Sequence, residues 1–182
     1  LTRPRLNTLR RAATIFGFHL ATLDMRQSSD VHERVISELF KTSDVCSDYA
    51  ALNEDQKLSL LQSEHSQPRL LYSPYLNYSD ETVSELGVIS MARKIREQFG
   101  SRAIQNYIIS HTETVSDLLE VLLLQKETGL LRVGSAKTKA VSELMVIPLF
   151  ETIPDLRNAA DIMNDWLSTP AVRELVRQQG EL

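Results

Sequence analysis

What most constrains this chain is an alternation. Three short apolar, β-forming runs, at residues 16–26, 103–110 and 144–150, are separated by long stretches with helical periodicity. The runs are nearly continuous in apolar character, as expected of strands buried on both faces. Strands that alternate with helices imply parallel pairing through right-handed crossovers, and hence an α/β class. Two of the runs end on a charged side chain. Leu23-Asp24-Met25 delivers Arg26, and Val146-Ile147-Pro148-Leu149-Phe150 delivers Glu151. In α/β sheets and barrels, the C-terminal ends of the strands are where ligands bind. A cation and a carboxylate placed there suggest a phosphorylated or carboxylated substrate together with a divalent metal.

The helical stretches have recognisable ends. Residues 5–15 read as a helix with apolar positions Leu6, Leu9, Ala13 and Ile15. Ser28, Ser29 and Asp30 supply N-cap chemistry for a helix over 31–41, and Asn53-Glu54-Asp55-Gln56 does so for the next. Ser79-Asp80-Glu81-Thr82 opens a long amphipathic helix that Gly100 closes. A further helix over 115–128 is stopped by Gly129, and its leucines Leu118, Leu119, Leu122 and Leu123 read as core. Residues 130–142 read as a loop, with 134–139 expected to be mobile. Pro154 and Pro170 each sit in the first turn of a closing helix. The step from Leu20 to Tyr107 is too long for one β/α unit, so residues 44–100 are expected to form a helical insertion or outer layer. Pro148 conflicts with an interior ladder, a cost that falls near the strand's C-terminal end.

The chain has 182 residues, enough for the core of one good domain. A net charge of −4 argues against general nucleic-acid binding, which usually shows a basic excess. The longest apolar run, 118–124, is interrupted by Glu120, so no membrane span is expected. Cys46 is the single cysteine. It excludes an internal disulfide and a cysteine-based zinc site, and suggests a reducing, cytoplasmic compartment. The chain opens on Leu1-Thr2-Arg3-Pro4 without an initiator Met, which reads as an internal piece of a longer protein.

The candidate residues each have an ordinary alternative. Arg26 can capture an anion bidentately beside the N-terminus of the following helix, or it can pair with Asp24 or Asp30. Glu151 can hold Mg²⁺ or Mn²⁺, which prefer oxygen ligands, or it can cap the helix that Pro154 opens. His111 and Glu113 sit on the exit loop of the second strand, where a general base is possible and a backbone-bonded histidine is commoner. His19, His32 and His65 lack metal-ligand spacing. No GxGxxG, Walker, GxSxG or HExxH motif occurs in the chain.

Several segments resemble the phosphoenolpyruvate carboxylase family. They are Gly17-Phe18-His19-Leu20-Ala21-Thr22-Leu23-Asp24-Met25-Arg26-Gln27-Ser28, Tyr107-Ile108-Ile109-Ser110, and Ser116-Asp117-Leu118-Leu119-Glu120-Val121 through Lys126-Glu127-Thr128-Gly129. The most specific is Pro148-Leu149-Phe150-Glu151-Thr152-Ile153-Pro154-Asp155-Leu156. The resemblance spans nearly the whole chain, in order. It implies an α/β barrel with many extra helices, and an enzyme that joins bicarbonate to phosphoenolpyruvate to give oxaloacetate and phosphate. In that family bicarbonate attacks the phosphoryl group, and the enolate then takes up carbon dioxide, with Mg²⁺ or Mn²⁺ required. By resemblance, Arg26 contacts the substrate phosphate and Glu151 is one of two acidic metal ligands.

The resemblance places no catalytic residue in this chain. The family's catalytic histidine lies upstream, and its second metal carboxylate and glycine-rich arginine loop lie downstream. The fold expected is therefore a partial (β/α) barrel fragment, mostly helical, with about three parallel strands in one unit over 1–182. The fragment is expected to be inactive alone, and its parent to be a cytoplasmic homo-oligomer. Two alternatives stand beside this reading. One is another metal-dependent barrel enzyme acting on phosphoenolpyruvate or a keto acid. The other is a non-catalytic helical assembly module, in which Arg26 and Glu151 would be paired off or would sit on unrelated surfaces.

Overall fold

The computed structural model describes residues 4–17, 21–134 and 140–179. In chain order the elements begin with α1 (Pro4–Phe16), β1 (Leu23–Ser28), α2 (Ser29–Thr42), α3 (Glu54–Ser66), α4 (Asp80–Phe99) and β2 (Ile104–Ser110). They continue with α5 (Val115–Glu127), β3 (Leu131–Arg132), β4 (Val141–Ser142), β5 (Met145–Pro148), α6 (Ile153–Ser168) and α7 (Pro170–Gln179). The chain is mostly helical, around a three-stranded parallel sheet of order β1-β2-β5. Among the described residues the sheet is open and no barrel closes, so the α/β class is seen without the barrel.

The first strand differs from the sequence expectation. Helix α1 runs to Phe16, and Gly17 follows at φ +55°, its N–H donating to the Ala13 carbonyl at 3.0 Å. This is a glycine helix stop, so Phe16 and Gly17 belong to the end of a helix. The strand proper is Leu23–Ser28, and residues 18–20 of the expected run lie outside the described residues. Nor is β1 buried on both faces, since Leu23 is 62% exposed. It is also an edge strand, with β2 on one side only among the described residues.

A two-stranded antiparallel pairing of β3 with β4 replaces the loop expected over 130–142. Residues 135–139, most of the segment expected to be mobile, lie outside the described residues. Pro148 is accommodated by register. It lies opposite Ile109 on β2, while the next residue, Leu149, donates its N–H to the Ile109 carbonyl at 2.9 Å and accepts from Thr112 N–H at 3.2 Å. Alternate residues of a strand address the same neighbour, so the missing proline N–H falls on the side away from β2.

Helix α5 is the centre of the core. It is buried from Val115 to Glu127 except at the half-buried Asp117, and packs against α2, α3, α4, α6 and β5. Leu118, Leu119, Leu123 and Leu124 are fully buried. A helix apolar nearly all round has no solvent face to offer and must lie inside. Thr114 and Asp117 hold its start, with Asp117 Oδ2 accepting from the Glu113 and Thr114 N–H groups at 2.8 and 3.0 Å.

A buried polar chain links α2, α4 and the sheet. Gln27 Nε2 donates to Glu85 Oε2 at 3.0 Å, and the Tyr107 hydroxyl donates to Glu85 Oε1 at 2.8 Å. His32 Nε2 lies 3.0 Å from the same hydroxyl. Because the tyrosine proton is committed to Glu85, Nε2 is the protonated nitrogen of His32. Burial lowers the His32 pKa to about 4, so the ring is neutral at pH 7.

Candidate active site

The C-terminal ends of β1, β2 and β5 converge on a cavity of about 510 Å³ lined by Arg26, Gln27, Ser28, Ser110, His111, Glu151 and Thr152. The register produces this convergence. Arg26 pairs with Ile108, and Ser28 with Ser110, while β5 ends beside Ile109. Side chains two apart on a strand share a face, so Arg26 and Ser28 stand on the same side of β1. Two helices begin at the rim, α2 after Ser28 and α6 after Thr152. Their free N–H groups add partial positive charge to that end of the sheet.

Arg26 and Glu151 meet each other in this cavity. Arg26 Nη2 donates to Glu151 Oε1 at 2.9 Å, and Arg26 Nε donates to Ser110 Oγ at 2.7 Å. Glu151 Oε2 accepts the His111 backbone N–H at 3.1 Å, and His111 Nδ1 lies 3.6 Å away. The ordinary partners suggested by sequence are taken elsewhere. Asp24 accepts from Asn106 Nδ2, and Asp30 pairs with Arg34. The capping role open to Glu151 is filled by its neighbours. Thr152 Oγ1 accepts from Asp155 N–H at 3.2 Å, and Asp155 Oδ2 accepts from Thr152 N–H at 2.9 Å. The two candidates are therefore paired off, but with each other and in one cleft.

His111 turns the chain out of β2 at φ +54°, a left-handed conformation uncommon outside glycine. That turn aims its N–H at Glu151, and its carbonyl accepts from Ser29 Oγ at 2.7 Å. Its imidazole is exposed at the rim. Glu113 does not join it there. It lines a neighbouring cavity with Glu33, Glu54 and Lys57, which His111 also borders. Ser110 is the site residue that sequence reasoning passed over. It is 8% exposed and stands at the C-terminal end of its own strand, the position that singled out Arg26 and Glu151. Its strand-end position was the available signal.

The donor set is too small for a complete metal site. Among the described residues no group of three or more His, Cys, Asp or Glu side chains could hold an ion. Glu151 offers one carboxylate, with one oxygen on Arg26 and the other on a backbone N–H. Mg²⁺ is commonly held by one or two carboxylates with substrate phosphate and water, so Glu151 fits as a single contributed ligand and no more.

The chain has clear relatives. The family model described as phosphoenolpyruvate carboxylase matches residues 1–182. The chain is 60% identical over 182 residues to a phosphoenolpyruvate carboxylase of Paraburkholderia xenovorans (strain LB400), covering 99% of this chain and 18% of that protein. It is 58% identical, with the same coverage, to that of Burkholderia vietnamiensis (strain G4 / LMG 22486). It is 59% identical to that of Burkholderia mallei (strain SAVP1). The chain thus spans about 18% of the length of the curated relatives it matches.

Proposed function

The chain belongs to the phosphoenolpyruvate carboxylase family, and from that premise we propose that it is one part of an enzyme carboxylating phosphoenolpyruvate with bicarbonate to oxaloacetate and phosphate. The observation that carries this reading is the pinned arginine. Arg26 sits at the convergence of three parallel strand ends, fixed through Nε, beside two helix N-termini. Five guanidinium N–H groups in a planar fork match a phosphate, and the described bonds commit two of them. The remaining protons are available to the substrate phosphate.

In this reading the three strands are a segment of an α/β barrel. The open edges at β1 and β5 are where further strands would pair. Residues 44–100 form the helical layer outside that segment. Glu151 contributes one ligand to a Mg²⁺ or Mn²⁺ ion, which supplies charge neutralisation for the phosphoryl group when bound. The rest of the ion's ligands, and the catalytic groups, come from elsewhere in the parent enzyme, so this chain alone has no turnover. We place the parent in the cytoplasm as a homo-oligomer. No described helix is long and apolar enough to cross a membrane.

The test uses the parent carboxylase. Arg26→Ala removes the phosphate contact and is expected to lower kcat/KM for phosphoenolpyruvate by about 10²-fold or more, the loss of one charge-assisted bidentate contact. An unchanged kcat/KM would remove Arg26, and with it this reading of the cavity.

A further inference from the structure

We infer that Ser110 is a positioning residue for Arg26: its hydroxyl holds the guanidinium by Nε so that the opposite edge stays open to the substrate phosphate. This rests on the proposed role of Arg26 and adds to it the group that makes the arginine selective for ligand over its own neighbour.

An arginine beside a carboxylate has a preferred geometry. Left alone, the two form a fork–fork pair, with two parallel N–H···O bonds. Such a pair at the cavity mouth would occupy both the cation and the carboxylate. Here the pair is single. Only Nη2 reaches Glu151 Oε1, at 2.9 Å, because Nε is already bonded to Ser110 Oγ at 2.7 Å. The second Glu151 oxygen is held by the His111 N–H at 3.1 Å. Each partner of the potential fork is thus half engaged by a third group, and the ion pair remains one bond strong.

Ser110 is well placed to be that third group. It is on the central strand β2, is 8% exposed, and is hydrogen-bonded into the ladder opposite Ser28. Its Oγ is therefore a fixed point, whereas Arg26, whose side chain is 57% exposed, is held besides only by its single Nη2 bond to Glu151. An unrestrained arginine carries rotamer entropy that ligand binding would have to remove. Anchoring Nε removes part of that freedom in advance. It also leaves both Nη1 protons and one Nη2 proton uncommitted, the edge that faces a bound anion.

Two consequences follow on removing the hydroxyl. Arg26 regains its rotamers, and Nε becomes free to join Nη2 in a two-bond clasp on Glu151. Both weaken anion capture without changing any group that reacts.

The experiment compares Ser110→Ala, Ser110→Cys and Ser110→Thr in the parent carboxylase, with Arg26→Ala and the Arg26→Ala, Ser110→Ala double variant beside them. Cysteine keeps the shape of the side chain with a larger atom that is only a weak acceptor, and threonine keeps the hydroxyl. The expected result is KM for phosphoenolpyruvate raised about 5- to 20-fold in the alanine and cysteine variants, kcat changed less than KM, and near-normal KM with threonine. On an Arg26→Ala background, loss of Ser110 should add almost nothing, since the two act as a unit. If Ser110→Ala folds poorly, the cysteine variant carries the comparison. A purely structural serine would lower kcat by reducing the active fraction and leave KM unmoved, and that outcome overturns the inference. Additive effects in the double variant overturn it as well. A normal KM in Arg26→Ala would instead overturn the reading of Arg26 on which it rests.

Discussion

At the scale of single residues, Arg26 and Glu151 present a choice between architecture and chemistry that free energies can separate. Their ion pair is more than half solvent-exposed on the arginine side. Exposed pairs of this kind contribute about 0–1 kcal/mol. A glutamine at position 151 keeps one acceptor for the His111 N–H and loses the charge. Glu151→Gln is therefore expected to change stability by less than about 1 kcal/mol in urea unfolding. In the parent carboxylase the same change should raise the Mn²⁺ concentration needed for half-maximal activity by about tenfold or more, as loss of a charged oxygen ligand does. Normal activity at limiting Mn²⁺ would take Glu151 out of the metal site. Both residues were legible in the sequence because each ends an apolar run, and strand ends in parallel sheets are functional positions. Their mutual bond was not legible, because it depends on register across three strands that are 125 residues apart in the chain at the extremes. Ser110 was hidden for a different reason. A neutral hydroxyl at a strand end carries no charge to draw the eye, and its role appears only once Arg26 Nε lies on it.

At the scale of elements, the parallel order and most helices were legible from periodicity and caps, and the misses have local causes. Gly17 falls in a β-like run of the sequence, yet it follows an amphipathic helix and acts as the stop of that helix. The β3–β4 pair has two residues a strand, too short for period-2 alternation to register. Glycines also separate space from conformation. Gly129 ends α5 at φ +81°, and a Cβ there would meet only ordinary contact, Arg93 Cδ at 3.6 Å. Backbone conformation, not crowding, decides the outcome, so Gly129→Ala is expected to destabilise by about 1–2 kcal/mol. Gly87 lies inside α4 with nothing within 4 Å of a Cβ. Gly87→Ala should stabilise by about 0.5–1 kcal/mol, the helix-interior cost of glycine. Urea midpoints that move in the same direction for both variants would contradict this account.

At the scale of the whole molecule, burial of titratable groups sets the pH response. His32 and His65 are both nearly inaccessible, and burial lowers each pKa to about 4 from an ordinary 6.5. His65 is held neutral while its Nε2 bonds the Leu119 carbonyl at 2.9 Å. Between pH 6.5 and 4 the unfolded chain binds these protons and the folded one does not, so their contribution to stability falls as pH drops through that window. Each is worth about 3 kcal/mol across the full window. Buried carboxylates act in the other direction. Desolvation raises the pKa values of Asp117, Glu120 and Glu127, so the folded state holds their protons more tightly and is favoured as pH falls. The total slope is thus a difference of opposing sets, and its sign alone would not identify the histidines. A difference between variants does. His65→Gln keeps a donor for Leu119 and removes the titration, so the stability of the wild type should fall more steeply than that of the variant, by about 1 kcal/mol per pH unit between pH 6 and 4.5. The measurement is urea unfolding at half-unit pH steps for both proteins. Parallel curves would mean that the His65 ring takes up its proton in the folded state as readily as in the unfolded chain, and that α3 and α5 do not exclude water from it.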